Sequence, residues 1–161
     1  METLSRVVEL CADACVTLML DPAPAATLPG EVWRKTAWFT PNETEAALYL
    51  GEALKPEYGA HRLLGRGLRG VALKRGGDGA YVAVAGGKSG WVPAFKVQTV
   101  DTVGAGDCFN GAFAVTLLEG KDPWEAARFA SAAAAISVTR KGAQAPMPLS
   151  NEVDDFLATH A

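Results

Sequence analysis

TVDTVGAGDCFNGAFAV (residues 99–115) sets two acids, Asp101 and Asp107, around a Gly-Ala-Gly loop that runs straight into an apolar helix. A loop stripped of bulky side chains makes room for something. The first amides of a helix have no partner within the helix, and its dipole is positive at that end. Gly104, Ala105 and Gly106 therefore form a cradle in which an anion can approach those amides closely. A phosphate fits, as does the negative charge that builds while one is transferred. Asp107 stands inside this cradle, where it would repel a merely bound anion. It makes sense as a base that takes a proton from an attacking hydroxyl. An aspartate that only favours the helix start explains the position as well.

Outward from this loop the chain alternates helix and strand. Leu4, Val7, Val8, Leu10 and Cys11 make one stripe of a helix over 2–14. VTLML (16–20) is a short apolar run suited to a strand buried on both faces, and the prolines of DPAPA (21–25) end it. TAWFT (36–40) is a second strand. Asn42 and Glu45 then stand at capping-box spacing before a helix that runs to Leu50. A helix is expected around His61–Leu64, closed by Gly65 or Gly67. GVALK (70–74) reads as a strand, RGGDG (75–79) as a turn, and 80–85 with 89–94 as a hairpin. Helices over 105–119, 123–139 and 149–160 complete the chain, with Asp122 and Pro123 starting the second of them. This alternation predicts an α/β fold, Rossmann-like, with a mainly parallel sheet flanked by helices. Ligands in such folds sit beyond the carboxyl ends of strands, where the Gly-rich loops fall.

The chain has 161 residues and a net charge of −3, so one domain over 1–161 is expected. The acidic balance argues against nucleic acid as a partner. No apolar run reaches the roughly 18 residues of a membrane span, and the first residues lack a signal-peptide pattern, which points to the cytoplasm. Cys11, Cys15 and Cys108 make a poor disulfide or zinc framework. Cys11 and Cys15, four apart, are expected as small apolar side chains in a core. His61 and His160 read as surface residues. The four tryptophans read as packing, with Trp33 partly exposed.

DTVGAGDCFNGAFA resembles the second signature of the ribokinase-like carbohydrate kinase family. DPAPA, TPNETEA, RGGDG, FKVQTVDTVGAGD, RFASAAAAISVTRKGAQ and the closing PMP follow in that family's order over nearly the whole chain. The resemblance implies ATP as phosphoryl donor and a sugar as acceptor. FKVQTVDT and TRKGAQ incline it to D-ribose, with another sugar or a nucleoside as the alternative. Asp107 would be the catalytic base at the sugar's primary hydroxyl, and Gly104, Ala105 and Gly106 the anion hole. Asn42 and Glu45 match a motif that organises Mg2+ and the phosphates, largely through water. Lys74, Arg75, Gly76, Gly77, Asp78 and Gly79 match the turn along the nucleotide, an ordinary turn if taken alone. Ser131 stands near the place of the base, on a helix whose Ala132–Ala135 run otherwise signals close packing. Asp101, Val103, Ser137 and Gly142 match the site of a monovalent cation, usually K+. Pro146 falls near that site's last position.

Family members are about twice this length, so the sugar-binding half and its lid are expected to be missing at the N-terminal side. VTLML is then expected at or near an exposed sheet edge. The chain is expected to self-associate or to join an N-terminal partner. A module that binds nucleotide without turnover is the alternative to an active kinase.

Overall fold

The computed structural model describes residues 2–160. The chain folds as α1 (Glu2–Asp13), β1 (Met19–Leu20), α2 (Gly30–Lys35), β2 (Trp38–Phe39), α3 (Glu43–Leu50), α4 (Pro56–Leu64), β3 (Gly70–Lys74), a 3-10 turn (Gly76–Asp78), β4 (Gly79–Val84), β5 (Ser89–Pro93), α5 (Ala105–Leu118), α6 (Pro123–Ser137) and α7 (Ser150–Thr159). The five strands form one sheet in the order β1-β2-β3-β4-β5. β1 pairs with β2, and β2 with β3, in parallel. The α/β class and parallel core expected from the alternation of elements are thus present. β1 is an end strand of the sheet, in line with the expectation for VTLML. Among the described residues no helix is long and apolar enough to cross a membrane.

Two compact units divide the chain, residues 1–75 with 81–90, and residues 76–80 with 91–161. The core of the first gathers Trp33, Phe39, Ala46, Ala60, Leu63, Leu68, Val71, Leu73, Tyr81 and Ala83. Trp33, Phe39 and Tyr49 meet as a tilted and edge-on aromatic trio with ring centroids 4.9–5.4 Å apart, a geometry that adds stability beyond the area buried. In β3, Gly70 to Leu73 are all buried, as the apolar run predicts for a central parallel strand.

In the second unit the core holds Cys108, Ala132, Ala133, Ile136 and Val153, with Phe95, Phe129 and Phe156 packed against it. The alanines of α6 leave no side-chain bulk between helices, so α5 and α6 pack closely along their length. Asp122 caps α6 through the N–H groups of Trp124 (2.8 Å) and Glu125 (3.0 Å), with Pro123 in the first turn.

Several expectations are corrected. The strands expected over 16–20 and 36–40 shrink to Met19–Leu20 and Trp38–Phe39, because only these residues find ladder partners. The helix expected around His61 begins at Pro56, a residue suited to a first turn. The six-residue α2 lies in a stretch with no predicted element. Trp33 is buried, not partly exposed, since α2 turns it onto Phe39 and Tyr49. Of the tryptophans, Trp91 is the exposed one. Cys11 is only half-buried and Cys15 is exposed, so neither is a core residue. The reason is local. α1 stops at Asp13, and the chain reverses through Cys15 N–H to Ala12 O (3.2 Å) and Val16 N–H to Cys11 O (2.8 Å). That closing motif puts its turning residue in the left-handed region, and Cys15 (φ 55°) takes the place glycine usually fills. His61 and His160 are exposed, as expected.

Two tests follow from this packing. Burial pushes the Cys108 thiol up, against a weaker lowering by the Ser137 hydroxyl. A thiol reagent is expected to label Cys15 first and Cys108 only on unfolding, read by mass spectrometry of the partly labelled chain. Gly79 has φ 110°, and a Cβ there would lie 2.1 Å from the Val92 carbonyl oxygen. Gly79→Ala is expected to cost about 2 kcal/mol or more in a denaturant titration.

Candidate functional site

The sequence-predicted residues fall into two groups, one in each unit. In the first unit the parallel strands end side by side, and polar residues follow their carboxyl ends. Lys74 at the end of β3 pairs in parallel with Asn42 after β2, and its N–H donates to Pro41 O at 2.8 Å. The Lys74 ammonium meets both oxygens of Asp21 at 3.2 Å, an ion pair mostly withdrawn from solvent. Asp21 opens DPAPA directly after β1. Arg75 Nε lies 3.1 Å from Glu43 Oε1. One ion pair thus ties the ends of β1 and β3 together, and a second ties the segment after β3 to the first turn of α3. Asp21 and Glu43 were not among the predicted site residues. Their signal was only position, Asp21 directly after β1 and Glu43 at the first residue of α3.

Asn42 and Glu45 form the capping box that their spacing predicts. Asn42 Oδ1 accepts from Glu45 N–H at 2.9 Å, and Glu45 Oε2 accepts from Asn42 N–H at 2.8 Å. One oxygen of Glu45, Oε1, stays outside this box. A carboxylate oxygen at the end of parallel strands suits a hard cation that keeps much of its water, so these residues fit Mg2+ held through solvent.

In the second unit, Gly76–Asp78 wind into a single 3-10 turn within the expected turn, and Gly79 opens β4. Gly76, Gly77 and Asp78 are exposed. Farther along, the Asp101 carboxylate joins two loops. Its Oδ1 accepts from Val103 N–H at 3.1 Å and its Oδ2 from Gly142 N–H at 3.0 Å. The N–H groups of Val100 and Asp101 both reach the Val138 carbonyl, just past α6. The Gly142 N–H foremost, then that of Val103, hold the Asp101 carboxyl below its usual range. Asp101, Val103 and Gly142 therefore sit together, as a shared cation site requires. Ser137 fits such a site less well, since its hydroxyl donates to Ala134 O (2.8 Å) and its carbonyl accepts from Arg140 N–H (3.1 Å).

α5 begins at Ala105 without a side-chain cap. Gly104 before it is left-handed (φ 77°), and a Cβ there would stand 3.0 Å from Ala143 O. The Ala105 N–H bends back to Thr102 O at 3.2 Å, which takes it out of the expected anion hole. Among the described residues no acceptor meets the N–H groups of Gly106 or Asp107. These two amides, on the exposed first turn, are the donors the cradle offers. The Asp107 side chain is exposed on that same turn. Ser131 is buried in mid-α6 among its alanines, a poor place from which to touch a bound base.

The signature of a pfkB family carbohydrate kinase matches residues 1–150. The chain belongs to that family. It is 40% identical over 161 residues to ribokinase of Bacillus subtilis, covering 98% of this chain and 52% of that protein. Ribokinase of Thermotoga maritima, a crystal structure, superposes with a TM-score of 0.84 at 43% identity, over 92% of this chain and 51% of that one. Ribokinase of Arabidopsis thaliana, complexed with ribose and ATP, superposes with a TM-score of 0.86 at 32% identity, over 96% of this chain and 52% of the other. The chain spans about half the length of the curated relatives it matches.

The Asp101 clasp gives a pH test. Its folded-state pKa is lowered, so its contribution is complete above the ordinary carboxylate value, about 3.9, and is lost as pH falls through the folded value. Glu152, held low mainly by Arg140, weakens in the same range. The melting temperature is expected to drop between about pH 5 and pH 2. Asp101→Asn should flatten part of that drop, which thermal melts at stepped pH would show.

Proposed function

We propose that this chain carries the nucleotide part of a ribokinase, which moves the γ-phosphoryl group of ATP to the primary hydroxyl of D-ribose and yields ADP and ribose 5-phosphate. The observation that supports it is the start of α5, where two unpartnered amides and the Asp107 carboxylate share one exposed turn. Ribokinases that match 98% of the chain supply the reaction class.

Asp107 would accept the proton of the sugar hydroxyl. The oxygen would then bond to the γ-phosphorus as the bond to the β–γ bridging oxygen breaks and ADP departs. Charge on the transferring group would face the Gly106 and Asp107 N–H groups, which are already in place and need no rearrangement. The turn at Lys74, Arg75, Gly76, Gly77, Asp78 and Gly79 would run along the nucleotide. Asn42 and the free oxygen of Glu45 would hold Mg2+ through water, and Mg2+ when bound neutralises phosphate charge. Carbonyl oxygens near Asp101, Val103 and Gly142 would hold K+.

A second reading has its own support. Because the chain spans about half of its relatives, it can act as a nucleotide-binding module without turnover of its own. Phosphoryl transfer depends on a held acceptor and excluded water. The test is ribose-dependent ADP formation with Mg2+ and K+, beside Asp107→Asn. Turnover by the wild type, lowered at least about 100-fold in the variant, is the expected result for a kinase. Binding of MgATP without turnover in either protein supports the module instead.

A further inference from the structure

The turn after β3 is built from residues that cannot hold a shape by themselves. Gly76, Gly77 and Gly79 have no side chains, and each ordered glycine gives up more backbone freedom than any other residue. The segment 92–96 holds this turn at three points. The Gly79 backbone is pressed against the Val92 carbonyl, as the 2.1 Å clash of an added Cβ shows. The Ala94 N–H donates to Asp78 O at 3.3 Å. The Lys96 ammonium donates to Gly77 O at 2.7 Å. The first two contacts involve main chain alone. The third depends on one side chain, and it is the shorter of the two hydrogen bonds.

The peptide group is planar and trans, so its C=O and the following N–H point in opposite directions. Whatever fixes the Gly77 carbonyl also fixes the direction of the Asp78 N–H. Resting on the nucleotide reading of this turn, we infer that Lys96 is a positioning residue: its ammonium holds the Gly77 carbonyl and so fixes the Gly77–Asp78 peptide plane in the turn along which a nucleotide would lie. A bond from a cationic donor is stronger than a neutral one. Lys96 also places positive charge beside a turn proposed to run along an anionic ligand.

The experiment compares the full chain with Lys96→Met and Lys96→Arg. Amide exchange at residues 76–79 is measured without ligand, and MgATP binding is measured by calorimetry. Lys96→Met is expected to speed exchange at these residues and to weaken MgATP about fivefold, while the melting temperature stays that of the wild type. Lys96→Arg, which keeps a cationic donor, should restore both. Unchanged exchange in Lys96→Met overturns the inference. So does faster exchange with unchanged MgATP affinity. A wild-type chain that does not bind MgATP overturns the nucleotide reading and the nucleotide role of Lys96 with it, and the exchange data then report on the clasp alone.

Discussion

Asp101 spends both carboxylate oxygens on main-chain N–H groups, one two residues ahead at Val103 and one 41 residues away at Gly142. The second bond closes a long loop and joins the segment before α5 to the one after α6. Between these anchors, Gly104 turns left-handed beneath the Ala143 carbonyl and releases the chain into α5. The consequence is chemical. With Thr102 O taking the Ala105 N–H, the next two amides are left pointing outward and unpaired. The turn onto Thr102, beside the loop-fixing Asp101, thus sets which donors the helix offers.

Structure and chemistry share residues throughout the candidate site. Asn42 and Glu45 cap α3 reciprocally, and the capping box uses one oxygen of Glu45 while leaving the other outside. Lys74 closes β3 and neutralises Asp21 at the end of β1. An ion pair this withdrawn from water stabilises little net of its desolvation, but removing one partner takes a close counter-charge from the other. Such residues resist substitution for two reasons at once.

The parts legible in the sequence were those where one local rule decides. The capping box at Asn42, the N-cap at Asp122, the apolar run of β3 and the alanine face of α6 all appear where pattern placed them. Misreadings arose where tertiary contact decides. Glu31, Arg34 and Lys35 surround Trp33 with charge in sequence, yet its ring is buried on Phe39 and Tyr49, which lie outside its own helix. The strands around Met19 and Trp38 are bounded by ladder partners, not by the extent of their apolar runs. In the site, the glycine-rich loop and Asp107 were visible as a motif. The Asp21–Lys74 pair and the grip of Lys96 on Gly77 were not, because each joins residues that no spacing rule connects; the Ala105 amide is lost to a tight local turn onto Thr102.

β1 is an end strand only two residues long. Long, flat sheet margins act as templates on which foreign chains can stack. A margin this short offers one or two main-chain bonds, each worth about 1 kcal/mol net, which is too little to recruit a strand of arbitrary sequence. Val7, Leu10 and Val16, all exposed, lie on α1 and on the connection from it to β1. A strand joining at this margin would therefore have to be selected by side-chain fit, not by backbone pairing.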